Sequence, residues 1–484
     1  DLKEATKDSY LVGKTIFKNI VKIDNALEHI KIADPAVGSG AFPLGILNEI
    51  VKLRDILTSY MLIYNRLGLF GKKYSEEQIT NYKRSIYQLK WNTIKNSIYA
   101  VDIENSAIDI TKLRLWLSIV VDQNDDPEPL PNLNCKIMQG NSLIDEYAGI
   151  KLIDKKFIDE LKDRQNVTFN NGGKIKSGKK MIEVSSNQIQ FGDGQKKAQI
   201  DDLINLKLEL YGENDPERKK ILLEKIQTAR KELLKLNFIG TNKEKELFEI
   251  DKSHNKPYFA WRLEFIEVFI ENDGFDIIIG NPPYIGQKGH KELFEQMSNN
   301  ENFEKKMDYW YFFLHNAYEM TNEIGIVSYI TPNYWITAQG GKKLRNRIVN
   351  DFSFIKYINF NENKIFSAGI HTNVFVLSKI IKQDNEVSVC IFDNNYENDF
   401  IKHMSNQNNF KIKQDILLNK WTRFVNFIDT YNLNLLNKMT QNCEKLCDNE
   451  SEGKSKKGVI TGKKVTNGIC NLNQGLVTGK DRLI

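Results

Sequence analysis

Lys31-Ile32-Ala33-Asp34-Pro35-Ala36-Val37-Gly38-Ser39-Gly40-Ala41-Phe42 runs from a short apolar strand into a glycine turn. A helical pattern follows in Leu44, Ile46, Leu47, Ile50, Val51 and Leu53. A strand that turns on glycines into a helix is the repeating unit of layered α/β sheets, so this segment limits the fold more than any other. The unit recurs. Ile98–Ile103 is an apolar strand before a helical stretch from Ala107 to Val121, and Lys136–Met138 begins a third strand. Phe275–Ile279 is a fourth, apolar after Asp276 as in a strand buried on both faces, and Ile324–Ile330 is a fifth. The alternation implies an α/β fold with a parallel, doubly wound sheet.

Residues 151–256 break the rhythm. A Gly/Lys-rich loop, Asn171-Gly172-Gly173-Lys174-Ile175-Lys176-Ser177-Gly178-Lys179-Lys180, precedes a long charged stretch with apolar residues at Leu203, Leu206, Leu210, Ile221, Leu222, Ile226, Leu233 and Leu234. This reads as a helical hairpin turned near Gly212-Glu213-Asn214-Asp215-Pro216, inserted into the α/β domain. Lysines of the loop are candidates for phosphate contacts, although a solvated loop is the plainer reading. After Lys382 the chain is irregular and rich in Asn and Lys, and Ser451–Gly458 has the composition of a linker.

The glycine turn is not a dinucleotide fingerprint, because position 43, where a third glycine would pack helix on strand, is Pro. Nor is it a P-loop, since no Gly-Lys-Ser/Thr opens the helix. It suits a nucleoside ligand without a pyrophosphate, with Gly38 and Gly40 letting backbone approach the ligand. Asp34 at the strand tip is placed to bind an ammonium group. Asp102, ending the second strand, can accept from both ribose hydroxyls, Ile103 can pack on an adenine face, and Asn141 after the third strand can read the adenine edge.

Phe275-Asp276-Ile277-Ile278-Ile279-Gly280-Asn281-Pro282-Pro283-Tyr284 says most about chemistry. Two prolines fix the backbone after a buried strand and aim the Asn281 side chain and the Pro282 carbonyl toward the ligand crevice at the carboxyl ends of the strands. Two acceptors beside the flat ring of Tyr284 fit a planar amino group. Such an amine is a poor nucleophile, because its lone pair is delocalised into the ring. Hydrogen bonds from both N–H groups favour the pyramidal, nucleophilic form and strengthen as positive charge develops.

On these two segments the sequence resembles the S-adenosylmethionine-dependent amino methyltransferases of DNA. Asp34 through Phe42 resembles their cofactor motif and Asn281-Pro282-Pro283-Tyr284 their catalytic motif. The motif order, with a region following, is that of the gamma class, and Asn at the first catalytic position is typical of adenine-N6 enzymes. The long insertion, and the stretch Asn473-Gln474-Gly475-Leu476-Val477-Thr478-Gly479, resemble the methyltransferase portion and the start of the target-recognition domain of large type IIG restriction–modification enzymes. The resemblance implies an S-adenosylmethionine-dependent methyltransferase (Rossmann-like) sheet. It implies methyl transfer to the N6 amino group of an adenine flipped out of double-stranded DNA. Asn281, Pro282, Pro283 and Tyr284 then form the catalytic set. Thr15, Asp34, Ala36, Gly38, Gly40, Asp102, Ile103 and Asn141 hold the cofactor. Asn141 stands where the family usually has Asp, and Ile16 follows Thr15 where the family has Pro. His371, in the Phe366–Val374 stretch that packs on the target base, reads as structural. With Tyr284 the ring carries the stacking, so Phe there is expected to keep much of the activity.

The domain layout that follows is 1–150 cofactor half of the methyltransferase core, 151–256 helical insertion, 257–382 catalytic half, and 383–484 linker and start of a target-recognition domain. Nuclease or recognition domains would share the full-length chain, and Asp1-Leu2-Lys3-Glu4 reads as a cut end. Two other readings stay open: a protein-glutamine methyltransferase, which uses the same motif on a planar amide, and a non-catalytic DNA-binding subunit on the same fold.

Composition is consistent with this. Over 484 residues the net charge is 68 − 63 = +5, which permits a polyanionic partner without requiring one. No run of about 18 apolar residues marks a transmembrane helix, so no membrane partner is expected. Five scattered cysteines argue against a disulfide scaffold and for the cytoplasm. Cys443 and Cys447 lack a second ligand pair at zinc spacing, so no metal is expected.

Overall fold

The computed structural model describes residues 14–66, 84–122, 132–147, 150–153, 155, 158–159, 167–170, 174–177, 180–183, 191–213, 215–238, 258–363, 365–366, 369–392, 408–418, 425 and 427. The linker at 451–458 and the stretch 473–479 lie outside the described residues. The fold divides into two units, residues 1–280 with Met320–Asn322, and residues 281–319 with 323–484.

In the first unit, helix α1 (Lys14–His29) precedes strand β1 (Ile32–Asp34), and helix α2 (Ala41–Arg66) follows the glycine turn. Helix α3 (Ile86–Ser97) leads into strand β2 (Ile98–Asp102), followed by helix α4 (Asn105–Val120) and strand β3 (Ile137–Gln139). Ser85 starts α3 with a capping box: its hydroxyl accepts from Gln88 N at 3.1 Å, and Gln88 Oε1 accepts from Ser85 N at 3.0 Å. Strand β4 (Phe275–Gly280) returns beside β1. The order β4-β1-β2-β3 is parallel throughout, as the alternation requires.

Side chains alternate across a strand, so β2 serves two cores. Ile98 and Ala100 join Ile32 and Ile137 under Leu47, Ile50 and Val51 of α2, Leu89 and Ile94 of α3, and Ile108, Leu115 and Ile119 of α4. Tyr99 is on the opposite face, edge-on to Phe265 at 5.0 Å and to Phe275 at 5.5 Å. Helices α5 (Phe191–Gly212) and α6 (Pro216–Phe238) form the hairpin read in the sequence, with Glu213 and Asp215 at its turn. It is bonded into the second face. Lys207 pairs with Glu267 at 3.1 Å, Arg230 pairs with Glu264, and all four are buried. The Lys136 ammonium lies 3.9 Å from the Tyr99 ring centroid and 5.1 Å from that of Tyr211 on α5.

The Gly/Lys-rich segment differs from its reading as a loop. Lys174–Ser177 and Lys180–Glu183 are strands, joined with Val167–Asn170 in a three-stranded antiparallel sheet. Its register puts Phe169, Ile175 and Ile182 in one cross-strand row, an apolar alternation hidden among lysines.

The second unit holds strands β5 (Thr321–Pro332), β6 (Ser353–Asn359), β7 (Thr372–Ser378), β8 (Glu386–Ile391) and β9 (Asn408–Lys413). The first two residues of β5 belong to the first unit. Strand β7 is antiparallel to both β5 and β6, β6 is parallel to β8, and β8 is antiparallel to β9. Parallel pairing therefore describes strands β1 to β4 of the first unit, while the sheet of the second is mixed. An apolar run reveals a strand but not its direction. Strands β8 and β9 also carry regular pairing past residue 382, where the sequence reads as irregular. Among the described residues no helix is long and apolar enough to cross a membrane.

Candidate active site

The first unit gathers most of the expected cofactor residues at the carboxyl ends of its parallel strands. Asp34 ends β1 with a buried side chain. Its Oδ1 accepts from Ala36 N at 3.0 Å, and its Oδ2 has no hydrogen-bond partner among the described residues. Burial pushes the Asp34 carboxyl up to about 8, against the pull of the Ala36 bond and with a further push from Asp102. An orphaned, buried carboxyl at a strand tip is a place for a cation.

The turn that follows is laced to its neighbours. Val37 N donates to Val101 O at 3.1 Å, and Gly38 N donates to Asp102 Oδ2 at 2.8 Å. Asp102 Oδ1 accepts from Glu104 N at 3.0 Å, and Gly140 N donates to Asp102 O at 2.8 Å. Ser142 Oγ donates to Pro35 O at 2.6 Å. The tips of β1, β2 and β3 thus converge on one backbone turn. Ile103, just beyond β2, is 58% exposed and presents an apolar face there.

The two glycines divide the work. Both have left-handed backbone, φ +52° at Gly38 and +79° at Gly40. A Cβ on Gly38 would meet nothing within 4 Å among the described residues, so this glycine borders open space. A Cβ on Gly40 would stand 2.9 Å from Thr111 Oγ1 and 3.1 Å from Thr111 Cα. Gly40 therefore lets α4 pack against the turn.

Two expected residues are less engaged. Asn141 Oδ1 accepts from Leu143 N at 3.2 Å, an Asx turn that occupies its carbonyl with its own backbone. Thr15 is exposed in the first turn of α1, and its carbonyl accepts from Asn19 at 2.9 Å. No hydrogen bond joins its side chain to the glycine turn among the described residues. Gly280 was not singled out. A Cβ there would stand 2.7 Å from Asp34 Oδ1, so glycine lets the end of β4 lie against Asp34. Its place just before Asn-Pro-Pro was the available signal. The contacts of Thr111 and Ser142 left none.

These residues fit S-adenosylmethionine. The orphaned Asp34 oxygen matches an ammonium, Gly38 leaves room beside the turn, and the Asp102 oxygens keep lone pairs for hydroxyls.

In the second unit, Asn281 begins the chain after Gly280. Pro282 is buried, and Asn281, Pro283 and Tyr284 are half-buried. The Tyr284 hydroxyl contacts Asn281 Oδ1 and lies 2.9 Å from Ile330 O. Burial, with the nearby Asp308 charge, raises the Tyr284 phenol well above its ordinary value. Asp308 anchors the loop that follows the motif. It is buried and accepts from Ile285 N at 3.1 Å, from Trp310 N at 3.3 Å and from the Tyr334 hydroxyl. Burial raises its carboxyl despite these bonds. As a lone acid in an ordinary stretch, Asp308 gave no sequence signal. His371 is exposed with Nδ1 2.8 Å from Asn361 O, a structural setting.

The Eco57I restriction-modification methylase family matches residues 96–366, more than half of the chain, and the chain belongs to that family. The resemblance read in the two motifs is borne out. Over 385 residues the chain is 25% identical to RM.MjaORFECS2P of Methanocaldococcus jannaschii, named as a candidate type II restriction enzyme and methyltransferase. That match covers 73% of this chain and 30% of the relative. Over 143 residues it is 32% identical to the type II methyltransferase M.HincII of Haemophilus influenzae, 28% of each chain. A structure of the type IIL restriction-modification enzyme MmeI in complex with DNA superimposes with a TM-score of 0.39 at 11% identity, over 81% of this chain and 36% of that one. The chain spans about three tenths of the length of the curated relatives it matches.

Proposed function

We propose that this chain is the methyltransferase part of a restriction–modification enzyme, moving a methyl group from S-adenosylmethionine to the N6 amino group of an adenine in double-stranded DNA. The observation that carries the reading is the join at Gly280. That residue packs on Asp34 at the head of the glycine turn, and the next residues in the chain are Asn281-Pro282-Pro283-Tyr284.

Asp34, Gly38 and Asp102 would hold the cofactor, with Ala36, Gly40 and Ile103 shaping the turn around it. When bound, S-adenosylmethionine supplies an electrophilic methyl on a sulfonium. The protein's own part is to prepare the nucleophile. A base stacked in a duplex cannot reach a buried site, so the adenine is flipped out, and the Tyr284 ring stacks on it. Asn281 Oδ1 and the Pro282 carbonyl accept its two amino N–H bonds, returning the lone pair to nitrogen. Because the leaving group is a neutral thioether, no strong general base is needed. Action on cellular DNA places the activity in the cytoplasm, with recognition and nuclease functions in further domains of the same polypeptide.

The test is made on the complete enzyme. Asn281→Ala should abolish methylation while calorimetry shows S-adenosylmethionine affinity nearly unchanged, because that side chain acts on the amine during transfer. Nucleosides from DNA treated with the parent enzyme should contain N6-methyladenosine as the deoxynucleoside. Methylation by Asn281→Ala at near the parent rate would remove the motif from the reaction.

A further inference from the structure

We infer that the Tyr284 hydroxyl is a positioning group that sets which end of the Asn281 side-chain amide faces the target amine. The inference rests on the amino-methyltransferase reading above. The Tyr284 oxygen touches both Asn281 Oδ1 and the Ile330 carbonyl, the latter at 2.9 Å. A phenol carries one proton, and both neighbours are acceptors. One of the two contacts would then set acceptor against acceptor in a half-buried place, where an unserved polar group is costly.

Only one partner can adjust. The Ile330 carbonyl belongs to the backbone of β5, which is paired residue by residue with β7, and Ile330 itself is buried. The Asn281 amide can exchange its oxygen and nitrogen by turning about its terminal torsion. Every atom is served when Tyr284 donates to Ile330 O and Asn281 Nδ2 donates to the Tyr284 oxygen. Asn281 Oδ1 is then turned away from the ring hydroxyl, and a carbonyl, not an NH2 group, is presented to the amine. In the opposite orientation the amide would meet the target amine donor to donor. Tyr284 remains protonated for this role, since burial holds its phenol far above the assay range.

The hydroxyl therefore acts through Asn281 and not on the substrate, which separates it from the stacking ring. In the complete enzyme, Tyr284→Phe keeps the ring and loses the orienting contact, so the expectation from sequence that Phe there keeps much of the activity, which counted only the stacking ring, is replaced. Its kcat should fall on the order of 10- to 100-fold. Its KM for DNA, its affinity for S-adenosylmethionine and the fluorescence of 2-aminopurine at the target position should stay within about twofold of the parent. A double-mutant cycle isolates the coupling. In an Asn281→Asp background both carboxylate oxygens accept, so no wrong end exists and adding Tyr284→Phe should change the residual rate by less than about twofold. A Tyr284→Phe enzyme with parental kcat overturns the inference, as does an equal loss in both backgrounds or a loss of the 2-aminopurine signal. A parent enzyme that leaves adenine unmethylated overturns instead the reading on which this rests.

Discussion

Asp102 Oδ2 accepts a hydrogen bond from Gly38 N at 2.8 Å, so the acid at the tip of β2 also braces the glycine turn after β1. Its other oxygen accepts from Glu104 N at 3.0 Å. Under the proposed function Asp102 takes the ribose hydroxyls, and backbone donors then hold it rigid before any ligand arrives, which lowers the ordering cost of binding.

Asp102→Ala should therefore have two effects. Losing a charged acceptor for ribose should weaken S-adenosylmethionine binding by about 1.5–3 kcal/mol. Losing the brace should also lower the stability of the cofactor-free protein by about 1–3 kcal/mol, because Gly38 N is left without its partner. Calorimetry reads the first and denaturant unfolding without cofactor reads the second. Parental stability in that unfolding experiment would reduce Asp102 to a ligand contact alone.

The two glycines of the turn should separate stability from binding. Gly40→Ala combines a left-handed residue with a Cβ pressed on Thr111, and it should cost about 2–5 kcal/mol. Gly38→Ala meets only the backbone penalty of about 1–2 kcal/mol, but its methyl enters the open space beside the turn. Cofactor affinity should fall more than stability in Gly38→Ala, with the reverse order in Gly40→Ala. Equal losses in both variants would show that the glycines do not divide the work.

What the sequence revealed and what it hid follow a physical line. The glycine turn, the acid ending β2 and Asn-Pro-Pro-Tyr are local patterns, whose meaning lies within a few residues of chain. The apolar strands were legible for the same reason. Hidden were relations made by folding: Thr111 against Gly40, Gly280 against Asp34, Asp308 holding Ile285 and Tyr334. The mixed sheet of the second unit was hidden because strand direction is set by connections. Asn141 shows the other limit. An amide after a strand serves a ligand or its own turn equally well by sequence, and here its carbonyl is in the turn.

The helical insertion is another such case, since its sequence shows a hairpin but not which of its charges are buried. Lys207 and Arg230 are buried against Glu267 and Glu264, and Lys207 also donates to Glu264 O. Glu267→Ala leaves Lys207 buried without its carboxylate and should destabilise the fold by about 3–5 kcal/mol. Arg218→Ala, which removes the pairs of an exposed guanidinium with Glu209 and the half-buried Glu213 on the same hairpin, should change stability by less than about 1 kcal/mol. Excising the hairpin should unfold the first unit, since Glu264 and Glu267 would be stranded. A hairpin-deleted protein that still binds S-adenosylmethionine would show the insertion to be an appendage after all.

Asp34 gives the protein a pH dependence of defined sign. Burial raises its carboxyl from 3.8 unfolded to about 8 folded, so the cofactor-free fold binds this proton more tightly than the unfolded chain does. The stability this contributes is full below about pH 4 and is lost progressively as pH rises toward about 8. A ligand ammonium against the orphaned oxygen favours the ionised form and pulls that midpoint back down. Cofactor binding should then release a proton below about pH 8, and affinity should rise with pH up to about pH 8, where the ligand's own α-ammonium begins to lose its proton. Thermal melting with and without S-adenosylmethionine, at about pH 6 and about pH 7.5, both below the loss of the ligand ammonium, should show the larger stabilisation at the higher pH. Asp34→Asn should flatten that difference, because the amide keeps the shape and the Ala36 bond but cannot ionise. If the stabilisation is the same at both pH values, or if Asp34→Asn preserves its pH dependence, then Asp34 is not the group that meets the ammonium.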